Sequence, residues 1–322
     1  MECLEVEQAA KLLLEQDWIL ILCHKNPDGD TIGSGFALCR ALHQLGKHAA
    51  VLCGDNVPRR MAFAAADLDE TLRISPKQAR YVVSVDIANT SLMGLVLSDY
   101  QQEGAVDLAI DHHPSHSGFA SNLLLRPEEA ANCQIIYELL LAMGVEITPE
   151  IASCLYLGLS TDTGCFRFSN TQPRTHQLAA RLMEAGADWF EINRNMFEIK
   201  TRSQIALEQK ALRTLRFFCG GRAAALVVTR QMLQETGASM EETEAIVNVP
   251  KSIEGVEIGA TLKEQPEGGF KVSVRTGEGV DACEICSAFG GGGHKRAAGC
   301  QIMQTLDETM LRLCKKFEEV LS

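Results

Sequence analysis

No apolar run in these 322 residues approaches the roughly 20 needed to cross a bilayer. The opening, MECLEVEQAAKLLLEQD, has neither the basic start nor the apolar centre of a secretory leader. A cytoplasmic location follows as the expectation, with no membrane partner. Positive charge is scarce as well: 30 Lys and Arg stand against 42 Asp and Glu, a formal net charge of −12. Coating long nucleic acid requires many phosphates to be neutralised by Lys and Arg, so this balance excludes long nucleic acid as a partner. A small anionic substrate stays open, held by a few local cations or metal ions. No GxxxxGK[ST] run is present, which sets aside ATP-driven chemistry of the P-loop kind. Internal repeats and low-complexity segments are also missing. Cysteine, at 12 residues, is plentiful, but it is scattered through apolar segments such as ILILCHK and IASCLYLGL, as small buried reduced thiols would be. Cys283 and Cys286 have CxxC spacing without the second pair of a zinc site or the setting of a redox motif, which assigns them to structure.

What is present alternates. WILILCHK, HAAVLCG, YVVSVDI and VDLAIDHH have the apolar content of strands, and TIGSGFALCRALHQLG is a helix ending at Gly46. That pattern predicts an α/β fold with a parallel N-terminal sheet. From about residue 130 three helical stretches follow: EAANCQIIYELLLAMG, TPEIASCLYLGLSTD and TQPRTHQLAARLMEAG. A stretch with few breakers and no strand signal then leads to RAAALVV, GVEIGATLKEQ and GGFKVSVRT, and a closing helix starts near Asp307. The expected organisation is a catalytic metal-binding domain at 1–188, a helical linker at 189–216 and a smaller α/β substrate-recognition domain at 217–322.

Ligands of open α/β sheets bind beyond the carboxyl ends of the strands. His24, Asp28 and Asp30 follow the first strand, Asp86 ends the third, and Asp111, His112 and His113 end the fourth. Asp162 closes the helix that begins near Pro149. Carboxylates gathered there without cations would repel one another and raise each other's pKa values, and bound divalent ions remove that conflict. A carboxylate and imidazole set suits Mn²⁺ or a similar ion better than structural zinc, and a pair of ions needs a bridging carboxylate. The bland readings are that NPDGD is a turn and helix cap, and that a lone strand-end Asp is a solvated loop residue. Motifs at several successive element ends outweigh them. His43, His48, His116 and His176 lack such surroundings and read as surface or satisfied histidines.

HKNPDGDTIGS, SVDIANTS, IDHHPSHSGFAS and GLSTDTGCFRFSNT, in that order, resemble the motifs of the DHH phosphoesterase family, and SVRT with FGGGGHKRAAGC resembles its associated C-terminal domain. The resemblance covers nearly the whole chain and is closest to the NrnA-type branch, hydrolases that degrade very short oligoribonucleotides (nanoRNA) and dephosphorylate 3'-phosphoadenosine 5'-phosphate (PAP). It implies one ion held by His24, Asp28 and Asp86, and a second by Asp30, Asp86, His112 and Asp162, with Asp86 bridging. It further implies that His113 touches the scissile phosphate or protonates the leaving group while Asp111 orients an imidazole. Arg275, Gly291, Gly292, Gly293 and His294 would bind substrate; successive glycines let backbone N–H groups approach an anion, although a flexible loop is their plain reading. The cofactors expected are two divalent ions, Mn²⁺ by preference. The partners are short RNA or a small nucleotide, and a homodimer is among the assemblies allowed. Phosphodiesterase action on cyclic or linear dinucleotide messengers is the alternative activity. A non-catalytic nucleotide-binding regulator is the alternative of another class, set against the retention of every expected metal ligand. A centre on one lobe and a grip on the other would admit only a few nucleotides.

Overall fold

Five consecutive apolar residues, Ile19–Cys23, would waste half their side chains on a sheet with one wet face, and the computed structural model shows both faces covered. It describes residues 2–322, apart from the side chain of His294. The chain divides into two compact units, one ending at Ile199 and the other starting at Lys200.

In the first unit the elements are β1 (Glu2–Cys3), α1 (Val6–Glu15), β2 (Ile19–Cys23), α2 (Gly29–Gln44), β3 (Ala49–Cys53), β4 (Tyr81–Val85), β5 (Leu108–Asp111), β6 (Asn122–Leu125), α3 (Asn132–Ala142), α4 (Pro149–Asp162), α5 (Pro173–Glu184) and α6 (Trp189–Asn193), the last running into a π-helical turn at Arg194–Glu198. The six strands form one parallel sheet in the order β1-β6-β5-β4-β2-β3. The expected strands and helices are all there; β1 and β6, at one edge, were not legible. Ile19, Ile21 and Val83 pack under α2, α3 and α4, while Leu20, Leu22 and Ala109 meet Met93, Leu97 and Ile74 from the connecting segments. From β2 the chain steps one way to β3, then returns to the other side of β2 for β4 and β5. The strand order therefore reverses at β2 and β4, which puts a binding crevice at their carboxyl ends.

Helices α2 and α4 cross closely because glycines occupy their contact. A Cβ on Gly33 would lie 2.3 Å from the Cys154 carbonyl oxygen, and one on Gly158 would lie 2.5 Å from Asp30 Oδ1. That approach carries the start of α2 to the end of α4.

The second unit contains α7 (Arg202–Leu212), β7 (Arg216–Phe218), β8 (Ala223–Val228), α8 (Arg230–Thr236), β9 (Ile258–Glu264), β10 (Phe270–Thr276), α9 (Ala282–Ser287), β11 (Gly292–His294), β12 (Ala297–Ile302) and α10 (Leu306–Leu321). Its mixed sheet has the order β11-β12-β10-β9-β8-β7, with only β8 and β9 parallel. Alternate residues of β10, Phe270, Val272 and Val274, face a core shared with Phe317 and Leu313 of α10. Among the described residues no helix is long and apolar enough to cross a membrane.

Candidate metal centre

The turn after β2 folds His24 back over the start of α2. Asp28 is the N-cap: its Oδ1 accepts the amides of Asp30 at 3.0 Å and Thr31 at 3.1 Å. The same oxygen lies 3.6 Å from His24 Nε2, so capping and site membership coincide in one carboxylate. Asp30 sits in the first turn of α2 with no exposure, and its carboxylate accepts the N–H groups of Asn132 and Cys133 at the start of α3.

Directly after β4, Asp86 adopts a left-handed backbone, φ 59°, and its amide donates to the Ile110 carbonyl at 2.9 Å. An aspartate in this conformation is uncommon, and here it turns the carboxylate into the crevice. The two oxygens face different groups. Asp86 Oδ2 is 3.7 Å from His24 Nε2, and Oδ1 is 3.5 Å from both His112 Nε2 and His113 Nδ1. His112 Nε2 also lies 3.8 Å from Asp30 Oδ2 and 3.3 Å from Asp162 Oδ2.

His24 and His112 are pinned by the same device. His24 Nδ1 is 2.8 Å from the Lys25 carbonyl oxygen, and His112 Nδ1 is 3.1 Å from that of Glu129. A carbonyl only accepts, so Nδ1 carries the hydrogen and Nε2 of the neutral ring presents a lone pair. Each Nε2 points at carboxylates, an arrangement that repels unless a proton on that nitrogen or a metal ion lies between them. His112 Nε2 and Asp86 Oδ1 are buried with no hydrogen-bond partner, as ligand atoms of a metal site would be in its absence.

His113 is held differently. Its Nδ1 donates to Asp111 Oδ1 at 2.8 Å, and that oxygen also accepts the amides of His112 at 2.7 Å and His113 at 3.1 Å. The doublet thus splits: one ring faces the carboxylate cluster, and the other is anchored on Asp111.

The electrostatics show what the cluster is short of. Burial, then the neighbouring Asp30, pushes the Asp86 carboxyl up to about 7. Asp162 is raised well above the usual carboxylate range by burial and by Asp30, Asp28 and Asp86. Asp30 is raised chiefly by burial. Burial opposes a charged His24, yet Asp28 and Asp86 hold its pKa up at about 11. His113 is likewise up at about 9, because Asp111 outweighs burial, and the same pairing lowers Asp111. Four acids have been collected around too little positive charge. Ligand atoms of His24, Asp28 and Asp86, and those of Asp30, His112 and Asp162, lie within 4.8 Å of one another in each set; Asp86, Asp111, His112 and His113 form a third set. All donors are oxygen or imidazole nitrogen, which suits divalent ions of the Mg²⁺ to Mn²⁺ kind.

The remaining expected site residues lie in the second unit. Arg275 of β10 is in register with Ala297 of β12, whose other neighbour in register is His294 of β11. The backbone thus brings Arg275 and His294 into one row; the His294 side chain lies outside the described residues. Gly291–Gly293 are not simply a loop: Gly292 and Gly293 belong to β11. A Cβ on Gly291 would lie 2.2 Å from the Gly299 carbonyl oxygen, and Gly293 has φ 147°. Sheet packing by itself therefore demands glycine at both positions. Of the other histidines, His43 Nε2 bonds the Ala49 carbonyl, and His48, His116 and His176 stack on Trp18, Phe119 and Phe166.

A model of the DHH family N-terminal domain matches residues 18–159, and a model of the DHHA1 domain matches residues 220–322. Over 318 residues the chain is 33% identical to a Thermus thermophilus protein named bifunctional oligoribonuclease and PAP phosphatase NrnA, covering 94% of this chain and 90% of that one. The chain belongs to the DHH family. As a DHH phosphoesterase with a DHHA1 domain it is an enzyme. A Bacillus subtilis protein of the same name is 24% identical, with coverage of 94% and 96%. An exopolyphosphatase-related protein from Bacteroides fragilis shares the fold, with a TM-score of 0.85 at 24% identity over 98% of this chain and 95% of that one. Within this DHH domain, the groups that fix the two imidazoles are the carbonyls of Lys25 and Glu129. No pattern of side chains announces them, because every residue has a carbonyl.

Proposed function

We propose that the enzyme is a cytoplasmic, Mn²⁺-dependent phosphoesterase that hydrolyses oligoribonucleotides of a few units and PAP at a two-ion centre. One observation carries this reading: two pinned imidazoles, His24 and His112, each aim Nε2 at carboxylates and share Asp86, one oxygen each. The first ion would be held by His24, Asp28 and Asp86, and the second by Asp30, Asp86, His112 and Asp162. Bound there, divalent ions supply Lewis acidity for the phosphoryl oxygens and make water a competent nucleophile at neutral pH.

The chain's own groups do the rest. Carbonyls at Lys25 and Glu129 fix the tautomers, so the ligand nitrogens need no rearrangement. Asp111 keeps His113 charged and oriented through Nδ1, which suits it to contact a phosphate oxygen or give a proton to the departing hydroxyl. Arg275, Gly291, Gly292, Gly293 and His294 serve recognition. The net charge of −12 supports short substrates, since further phosphates of a long strand would gain little at an acidic surface.

The test is purified protein with Mn²⁺ on PAP, on labelled RNAs of two to about twenty nucleotides and on cyclic di-AMP, at fixed salt. PAP and the shortest RNAs should turn over fastest. Rates that climb with RNA length, or cyclic di-AMP as the best substrate, would overturn the substrate assignment.

A further inference from the structure

Phe168 stands half out of the protein six residues beyond Asp162, with 51% of its surface exposed. Exposed rings are unremarkable one at a time; the backbone beneath this one is not. Gly164, Cys165 and Phe166 have φ of 56°, 58° and 63°, three consecutive residues in the left-handed region, two of them with side chains that disfavour it. Such strain persists only where surrounding bonds over-determine it, and it gathers at functional sites. Here the bonds are many. Cys165 N–H donates to the Ser160 carbonyl at 2.7 Å, and the N–H groups of Arg167 and Phe168 both donate to that of Thr163, at 2.9 and 3.0 Å. Arg167 Nε donates to the Gly164 carbonyl at 2.6 Å while its guanidinium lies over Phe197. Asn170 Nδ2 closes the segment by donating to the Asp162 carbonyl at 3.1 Å and the Ala130 carbonyl at 3.0 Å.

The product of this turn is a ring laid on a glycine. A Cβ at Gly164 would sit 2.4 to 2.6 Å from three atoms of the Phe168 ring, so only glycine lets the ring rest there. Gly164 is two residues from Asp162, at most about 7 Å along an extended chain. A partly wet aromatic face is thus laid on a glycine two residues along the chain from Asp162, a member of the carboxylate cluster. The turn holds the ring with one face on Gly164 and half of its surface open to solvent.

We propose that Phe168 is the stacking platform for the nucleobase of the substrate, a specificity residue of the phosphoester hydrolysis proposed above, on which this assignment rests. Any base offers a π-face, so the ring selects for a nucleoside without choosing its base. Phe168 takes no part in the chemistry.

The experiment compares wild type, Phe168→Ala and Phe168→Trp, loaded with Mn²⁺, on PAP and on ribose 3,5-bisphosphate, which keeps the phosphates and lacks the base. Phe168→Ala should raise KM for PAP on the order of tenfold to a hundredfold, the span of one base stack. It should leave KM and kcat for the base-free ester unchanged, and Phe168→Trp should restore PAP binding. Equal losses on both esters, or no loss on either, overturn the assignment. If wild type hydrolyses neither ester, it is the phosphoesterase reading that fails. Calorimetric binding of AMP then decides the platform: weaker binding by Phe168→Ala sustains it, and equal binding removes it.

Discussion

Gly158→Ala adds one methyl group at the place where α2 and α4 cross, and it separates packing from ligand chemistry. The new Cβ would lie 2.3 Å from Cys133 Sγ and 2.5 Å from Asp30 Oδ1, and both residues have no exposure through which to give way. In a helix interior alanine gains about 1 kcal/mol over glycine, whereas overpacking a close-packed core costs about 1–3 kcal/mol. With two contacts this short the upper end applies, so a net loss of about 2 kcal/mol is expected. For a unit of this size that lowers Tm by about 4–8 °C. The centre should suffer more than the fold, since relief requires α2 to move off α4, and that carries Asp30 away from Asp162 and His112. Scanning calorimetry and metal analysis on the same sample check both effects. Cys133→Ala in the same chain removes the sulfur contact but leaves the carboxylate one, so it should recover part of the Tm and little of the bound metal. A Gly158→Ala protein with wild-type Tm and wild-type metal content would refute the claim that this crossing sets the geometry of the site.

His112→Ala should lose both bound metal and turnover, while His113→Ala should keep most of its metal and lose rate; metal analysis showing the reverse would exchange the two roles. Mn²⁺ at about 100 times its Kd should stabilise the chelated wild type by about 2.7 kcal/mol. Asp86→Asn should abolish that rise, with the metal-free variant melting no lower than metal-free wild type because a buried like charge has been removed. In the second unit Lys263 is almost fully buried against the more exposed Glu244, at 2.5 Å. Glu244→Gln should lower stability in urea by about 1 kcal/mol, discounted for the wet partner. Burial lowers the pKa of Lys263 from 10.5 despite Glu244, so the folded state releases this proton before the unfolded state does. Stability from this group therefore rises with pH from the lowered value up to 10.5. Lys263→Met should flatten that rise.

The sequence by itself determined the chemistry available. Apolar runs at helix-sized separations encode a parallel sheet, and a parallel sheet has all its carboxyl ends on one side. His24, Asp28, Asp86, Asp111 and His112 could therefore be placed together from their positions after strands alone. β6 escaped because NLLL is too short to distinguish from a loop, and β1 because two residues carry no period. Tertiary structure decided the rest. Which ring of the doublet meets the carboxylates depends on the Glu129 carbonyl, which lies beside His112 only after folding. That Asp86 divides its two oxygens depends on a left-handed φ that sequence does not specify for aspartate. That Asp162 reaches Asp30 depends on how closely two helices approach, and that distance is set by the absence of side chains at Gly33 and Gly158. Residue type fixes what a group can donate or accept; only the folded backbone fixes what it faces.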